Sequence, residues 1–138
     1  MTPDNPQGPP GPKDPKDPTA AEAPGLDAGA VARLRQLDPG NRRGMLQRVF
    51  STFEASLLRV LSQLQAARSG ADAPAVMALA HTLKSSSASV GALALSSACA
   101  DVERRLRTGQ PGDLHTDIDR LSQECHAALT AVRAMLQP

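Results

Sequence analysis

Residues 80–92 read AHTLKSSSASVGA, and with the residues just before them they carry a helical apolar pattern. On a 3.6-residue period Val76, Leu79, Leu83 and Val90 share one stripe, and His81 lies roughly 160° round from both Leu79 and Leu83. The imidazole is therefore expected on the solvent side of a helix whose other side, with Leu79 and Leu83 buried, belongs to a core. One turn on stand Lys84 and Ser85; Met77 and Ala78 lie one turn before and Ala88 two turns after. The surface around His81 thus reads as one cation among small or apolar groups. Such a surface suits a partner docking around a nucleophile.

Working outward, the chain from Leu26 on is helical throughout, and no segment sustains a period of two. Leu26, Ala30, Val31, Leu34 and Leu37 define a short amphipathic helix ending before Pro39-Gly40, expected to pack as a lid. Asn41 is the expected cap of the longest helix. Its stripe, Leu46, Val49, Phe50, Phe53, Leu57, Val60, Leu61 and Leu64, runs until Ser69-Gly70. Asp72 suits the N-cap of the His81 helix, with Pro74 in its first turn where no intrahelical donor is needed, and Gly91 closes it. A fourth helix points Leu95, Ala98, Cys99, Val102 and Leu106 inward and Asp101, Glu103, Arg104, Arg105 and Arg107 outward, ending at Gly109. Pro111-Gly112 makes the next turn. Asp113 caps a last helix whose stripe runs from Leu114 through Ile118, Leu121, Cys125, Ala128, Leu129 and Val132 to Leu136. Short connections favour antiparallel neighbours, so the expected fold is all-α: an up-down antiparallel four-helix bundle with an additional short N-terminal helix. There are no internal repeats, and stripes this broad and rich in Ala and Ser do not suit a coiled coil.

Composition narrows the function. Eight of the 12 prolines precede Leu26, and residues 1–25 have no apolar period, so they read as a disordered Pro/Gly-rich tail or linker preceding a bundle domain over 26–138. The formal net charge is +1 and the only aromatics are Phe50 and Phe53, which argues against nucleic acid and against an anionic membrane surface. No apolar run approaches the ~18 residues of a spanning helix, and the N-terminus lacks a signal-peptide pattern; a cytoplasmic protein is expected. Cys99 and Cys125 have no metal-type spacing and fall on apolar stripes, as buried reduced thiols would.

An exposed imidazole is a nucleophile at physiological pH, and phosphorylation on its outer nitrogen needs no buried base beside it. Phosphoryl transfer is mostly positioning, with cations on the equatorial oxygens; Lys84, three residues from His81, is placed to supply one. It is the only lysine beyond the Pro-rich segment, the other two being Lys13 and Lys16.

These residues resemble the histidine-containing phosphotransfer (HPt) domain, whose signature reads AHxLKG followed by a Gly-Ala helix junction. Ala80, His81, Leu83, Lys84, Gly91 and Ala92 fit it, and the helical layout extends the likeness over about residues 27–136. The sequence departs from the signature at Ser85, where glycine is usual and gives a partner backbone more room. The resemblance implies a phosphorelay intermediate: His81 accepts a phosphoryl group from the aspartyl phosphate of a receiver domain and passes it to another receiver's aspartate. Lys84 then stabilises the phosphoryl group, and Met77, Ala78, Ser85 and Ala88 form the docking surface. Partners would be receiver domains of a hybrid histidine kinase or response regulator, any Mg2+ would belong to the receiver, and a monomer is expected. No glycine-rich phosphate loop and no carboxylate cluster near His81 in sequence suggest ATP binding, so the chain reads as a carrier and not an enzyme.

Plainer readings compete. A lone helical histidine is usually just a surface residue, and His115 and His126, without partners at i+3 or i+4, do not form a metal pair. The other function class is a bundle that binds a receiver or kinase without carrying phosphate; a nucleophile with a cation one turn away favours the carrier. A terminal module of a larger hybrid kinase is a third possibility, with Met1 and the short length favouring a free-standing protein.

Overall fold

The computed structural model describes residues 25–109 and 112–137; the expectations for the tail up to residue 24 and for Pro111 in the last turn lie outside the described residues. Among the described residues five α-helices follow one another: α1 (Ala28–Gln36), α2 (Met45–Gly70), α3 (Ala73–Ser89), α4 (Leu93–Thr108) and α5 (Leu114–Leu136), with one 3-10 turn at Pro39–Asn41 between the first two. No strand occurs among the described residues. Helices α2 to α5 form the up-down bundle, each packing on the next and α5 returning to α2.

Local chemistry sets most of the boundaries. Asp72 accepts a hydrogen bond from the Ala75 N–H at 3.1 Å and starts α3, with Pro74 in the first turn. Asp113 does the same for α5 through the His115 N–H at 3.1 Å, and Asp27 for α1 through Ala30 at 2.9 Å. At Gly91 the backbone has φ +87°, and an added Cβ would lie 2.9 Å from the Asp27 nitrogen. That nitrogen donates to the Gly91 carbonyl at 2.7 Å, so a glycine lets α1 close over the α3–α4 junction.

Asn41 does not cap α2. It sits inside the preceding turn at φ +56° and donates to Gln47 Oε1 at 2.8 Å. The buried Asp38 carboxylate instead accepts from the Arg43 and Met45 N–H groups, at 3.0 and 3.1 Å, while Gly44 holds the N-cap position. A carboxylate seven residues before Met45 serves these donors better than the nearest amide, because its oxygens take both bonds. Leu37, expected inward, is 65% exposed, since α1 ends before it.

The core contains Phe50, Leu57 and Leu64 of α2, Val76 and Leu83 of α3, Leu95 and Val102 of α4, and Ile118, Leu121 and Val132 of α5. In α3 the inner positions are Val76, Ala80, Leu83 and Ser87, whereas Leu79 is only half-buried. This rotation has a cause: α3 packs far more closely on α4 than on α2. Small residues at 80 and 87 permit that approach, and the buried Ser87 hydroxyl donates to the Leu83 carbonyl at 2.6 Å, so its burial leaves no unpaired donor.

Candidate functional site

The α3–α4 seam carries the site. His81 projects from the middle of α3 with its side chain 69% exposed, as the stripe requires. Its surroundings differ from those expected. Glu103, read as an outward charge of α4, turns into the seam with only 6% of its side chain exposed. Its Oε2 lies 2.6 Å from His81 Nδ1, and its Oε1 accepts from Lys84 Nζ at 2.8 Å. Arg107, one turn further along α4, donates to Oε2 at 2.9 Å. The carboxylate absent from the neighbourhood of His81 in sequence is thus supplied by the next helix, and the surface is more polar than one cation among small groups.

Electrostatics decide which way the proton points. The Lys84 hydrogen bond, with those of His81 and Arg107, outweighs the cost of burial and holds the Glu103 carboxyl down at about 2. An ionised carboxylate can only accept, so the proton between Glu103 and His81 resides on Nδ1. The neutral ring then keeps its lone pair on Nε2, the nitrogen away from Glu103. Lys84 is also held from its backbone side, where its carbonyl accepts from Ser96 Oγ of α4 at 2.8 Å. Beneath Glu103, one turn back on α4, the Cys99 thiol is buried; desolvation, with a contribution from Glu103, pushes it up to about 12. Cys125 is likewise buried and pushed up to about 12 by desolvation first.

Of the residues expected to form the docking face, Ala78, Ser85 and Ala88 are exposed and Met77 is half-buried. His115 and His126 are exposed on α5, and among the described residues no group of three His, Cys, Asp or Glu side chains is placed to hold a metal ion. Glu103 is the residue that sequence reasoning missed. It stands four residues after the inward Cys99 and four before Arg107, a spacing that borders the apolar stripe and marks it as a candidate for the seam.

With this geometry the comparisons agree. The model of the Hpt domain family matches residues 48–135, and the chain belongs to that family. The crystal structure of histidine-containing phosphotransfer protein B from Pseudomonas aeruginosa PAO1 is similar, with a TM-score of 0.68 and 25% identity, covering 80% of this chain and 93% of that one. No curated protein sequence matches the chain. The protein therefore serves histidine phosphotransfer in a two-component phosphorelay. Members of the family are phosphoryl carriers whose partners are receiver domains of kinases or response regulators. Among the described residues no helix is long and apolar enough to cross a membrane.

Proposed function

We propose that His81 is the phosphoacceptor, taking a phosphoryl group from the aspartyl phosphate of one receiver domain and delivering it to the aspartate of another. The observation that carries this reading is the exposed imidazole whose Nδ1 is engaged by Glu103, leaving Nε2 as the nucleophile. In the transfer the Nε2 lone pair forms the N–P bond as the P–O bond to the receiver's aspartate breaks, and the electron pair leaves on that carboxylate. The Nδ1 proton stays in place. The positive charge that develops on the ring is matched by the Glu103 carboxylate, so no proton has to move during the step. Lys84 supplies a cation to the phosphoryl oxygens, while Met77, Ala78, Ser85 and Ala88 meet the receiver. Any Mg2+ belongs to the receiver, and this chain contributes the nucleophile and its orientation.

The test is transfer from a labelled phospho-receiver, with binding followed in parallel by calorimetry. His81→Gln is expected to abolish uptake of acid-labile label while the bundle stays folded and binding persists, because an exposed side chain contributes little to packing. Lys84→Ala should slow transfer by roughly tenfold to a hundredfold without abolishing it. Label on His81→Gln would place the acceptor elsewhere. Tight receiver binding by the wild type with no label from any receiver would establish a binding module that carries no phosphate.

A further inference from the structure

Two cations share one carboxylate beside His81. Lys84 holds Oε1 of Glu103 at 2.8 Å, and Arg107 holds Oε2 at 2.9 Å together with the imidazole. If Lys84 is to meet a phosphoryl group on Nε2, it has to leave Oε1, since an ammonium three residues from the histidine cannot point both into the seam and out at the phosphoryl oxygens. Without a second cation that departure would leave a nearly buried carboxylate facing only the ring, and an unpaired buried charge is costly. Arg107 is anchored on the same helix as Glu103, four residues on, the spacing at which a glutamate and an arginine meet without help from the rest of the fold. Its guanidinium offers five donors in a planar fork, enough to span both carboxylate oxygens once one of them is vacated.

From this arrangement we infer that Arg107 is a positioning residue that keeps Glu103 paired, and so keeps the imidazole oriented, when Lys84 transfers from Glu103 to the phosphoryl group. Lys84 is then a mobile cation shared between two anions, and Arg107 is the fixed one. The inference rests on the assignment of His81 as phosphoacceptor. It assigns Arg107 no contact with the phosphoryl group: its effect passes through Glu103.

That last feature makes it testable without an identified receiver. Potassium phosphoramidate serves as the donor for the full-length protein: the N–P bond to Nε2 forms, the donor's P–N bond breaks, and ammonia leaves. The rate of phosphohistidine formation is followed by phosphorus NMR. Arg107→Gln is expected to react about threefold to tenfold more slowly than wild type, with Arg107→Lys close to wild type and the melting temperature shifted by no more than about 2 °C. In a Glu103→Gln background Arg107→Gln should cause no further slowing, because the charge it pairs is already gone. A wild-type rate for Arg107→Gln overturns the inference. So does an equal slowing in both backgrounds, which would mean that Arg107 acts independently of Glu103. Phosphorylation of His81→Gln would instead remove the acceptor assignment and this inference with it; a silent His81→Gln beside an unaffected Arg107→Gln removes the inference alone.

Discussion

The two sides of α3 are built to opposite specifications. Toward α4 the contact is close, with Ala80 and Ser87 letting the helices approach and Glu103 drawing His81, Lys84 and Arg107 together across the seam. Toward α2 the contact is sparse and opens into grooves. One is lined by Ala66, Ala67 and Gly70 of α2 with Ala75, Ala78 and Thr82 of α3, another by Thr52, Ser56 and Arg59 with Ser86 and Ser89. The difference separates two requirements. Holding a ring nitrogen in a fixed direction needs a rigid, fully paired surround, whereas a surface that receives another protein benefits from small side chains that leave room for its own.

The largest effect should come from breaking the closely packed side. Leu83→Asp puts a carboxylate at a position 2% exposed within the core, at a cost of at least about 4 kcal/mol. Loss of the cooperative thermal transition by circular dichroism is the expected result, and retention of a normal melting temperature would refute the inner face assigned to α3.

Next comes Glu103→Gln, which leaves the helices packed but removes the charge that orients the ring. Phosphoryl transfer should fall by roughly tenfold to a hundredfold. The same variant has a signature in acid. Glu103 is held at about 2 in the folded protein against 4.5 as its ordinary value, so its stabilising contribution is complete above pH 4.5 and is lost as the pH falls through 2. Melting temperatures measured from pH 5 down to pH 2 should therefore decline less steeply in Glu103→Gln than in wild type. Parallel curves would show that the carboxylate is not paired as described.

Thiol labelling probes how tightly the helix beneath the site is held. Cys99 and Cys125 are fully buried, with thiols pushed up to about 12, so alkylation at pH 8 should be at least about a hundredfold slower in the native protein than after unfolding. Equal rates would mean that α4 and α5 do not pack with these faces inward. The smallest effect belongs to the open side: Ala78→Leu adds bulk on a groove wall and should change stability by less than about 0.5 kcal/mol by chemical denaturation. A loss of 2 kcal/mol or more there would show that the α2–α3 seam is closed in solution.

Apolar periodicity was enough to read each of the five described helices, because a stripe is a local property: Leu57 and Leu64 of α2, and Leu121, Cys125 and Val132 of α5, lie on stripes visible within their own helices and are buried. The same reasoning placed His81 outside and Asp72 and Asp113 at helix starts, where each cap bonds within its own first turn. It failed where the answer lay between elements. Leu79 and Ala80 are both plausible inner residues of an isolated helix, and the close approach of α4 decided for Ala80. Asp38 displaced Asn41 as the partner of the first α2 donors because the turn folded back across seven residues.

Glu103 marks the boundary most clearly. On α4 alone it is a charge at the border of the apolar stripe, four residues after Cys99, and nothing within its own helix says which side chains face it across the seam. Twenty-two residues separate it from His81. The sequence by itself determined the helices, the outward histidine and the lysine one turn away, since each depends on spacing along a single helix. Only the tertiary structure decided which nitrogen of His81 is free and where Lys84 rests, because both depend on a carboxylate that a second helix brings to within hydrogen-bond distance.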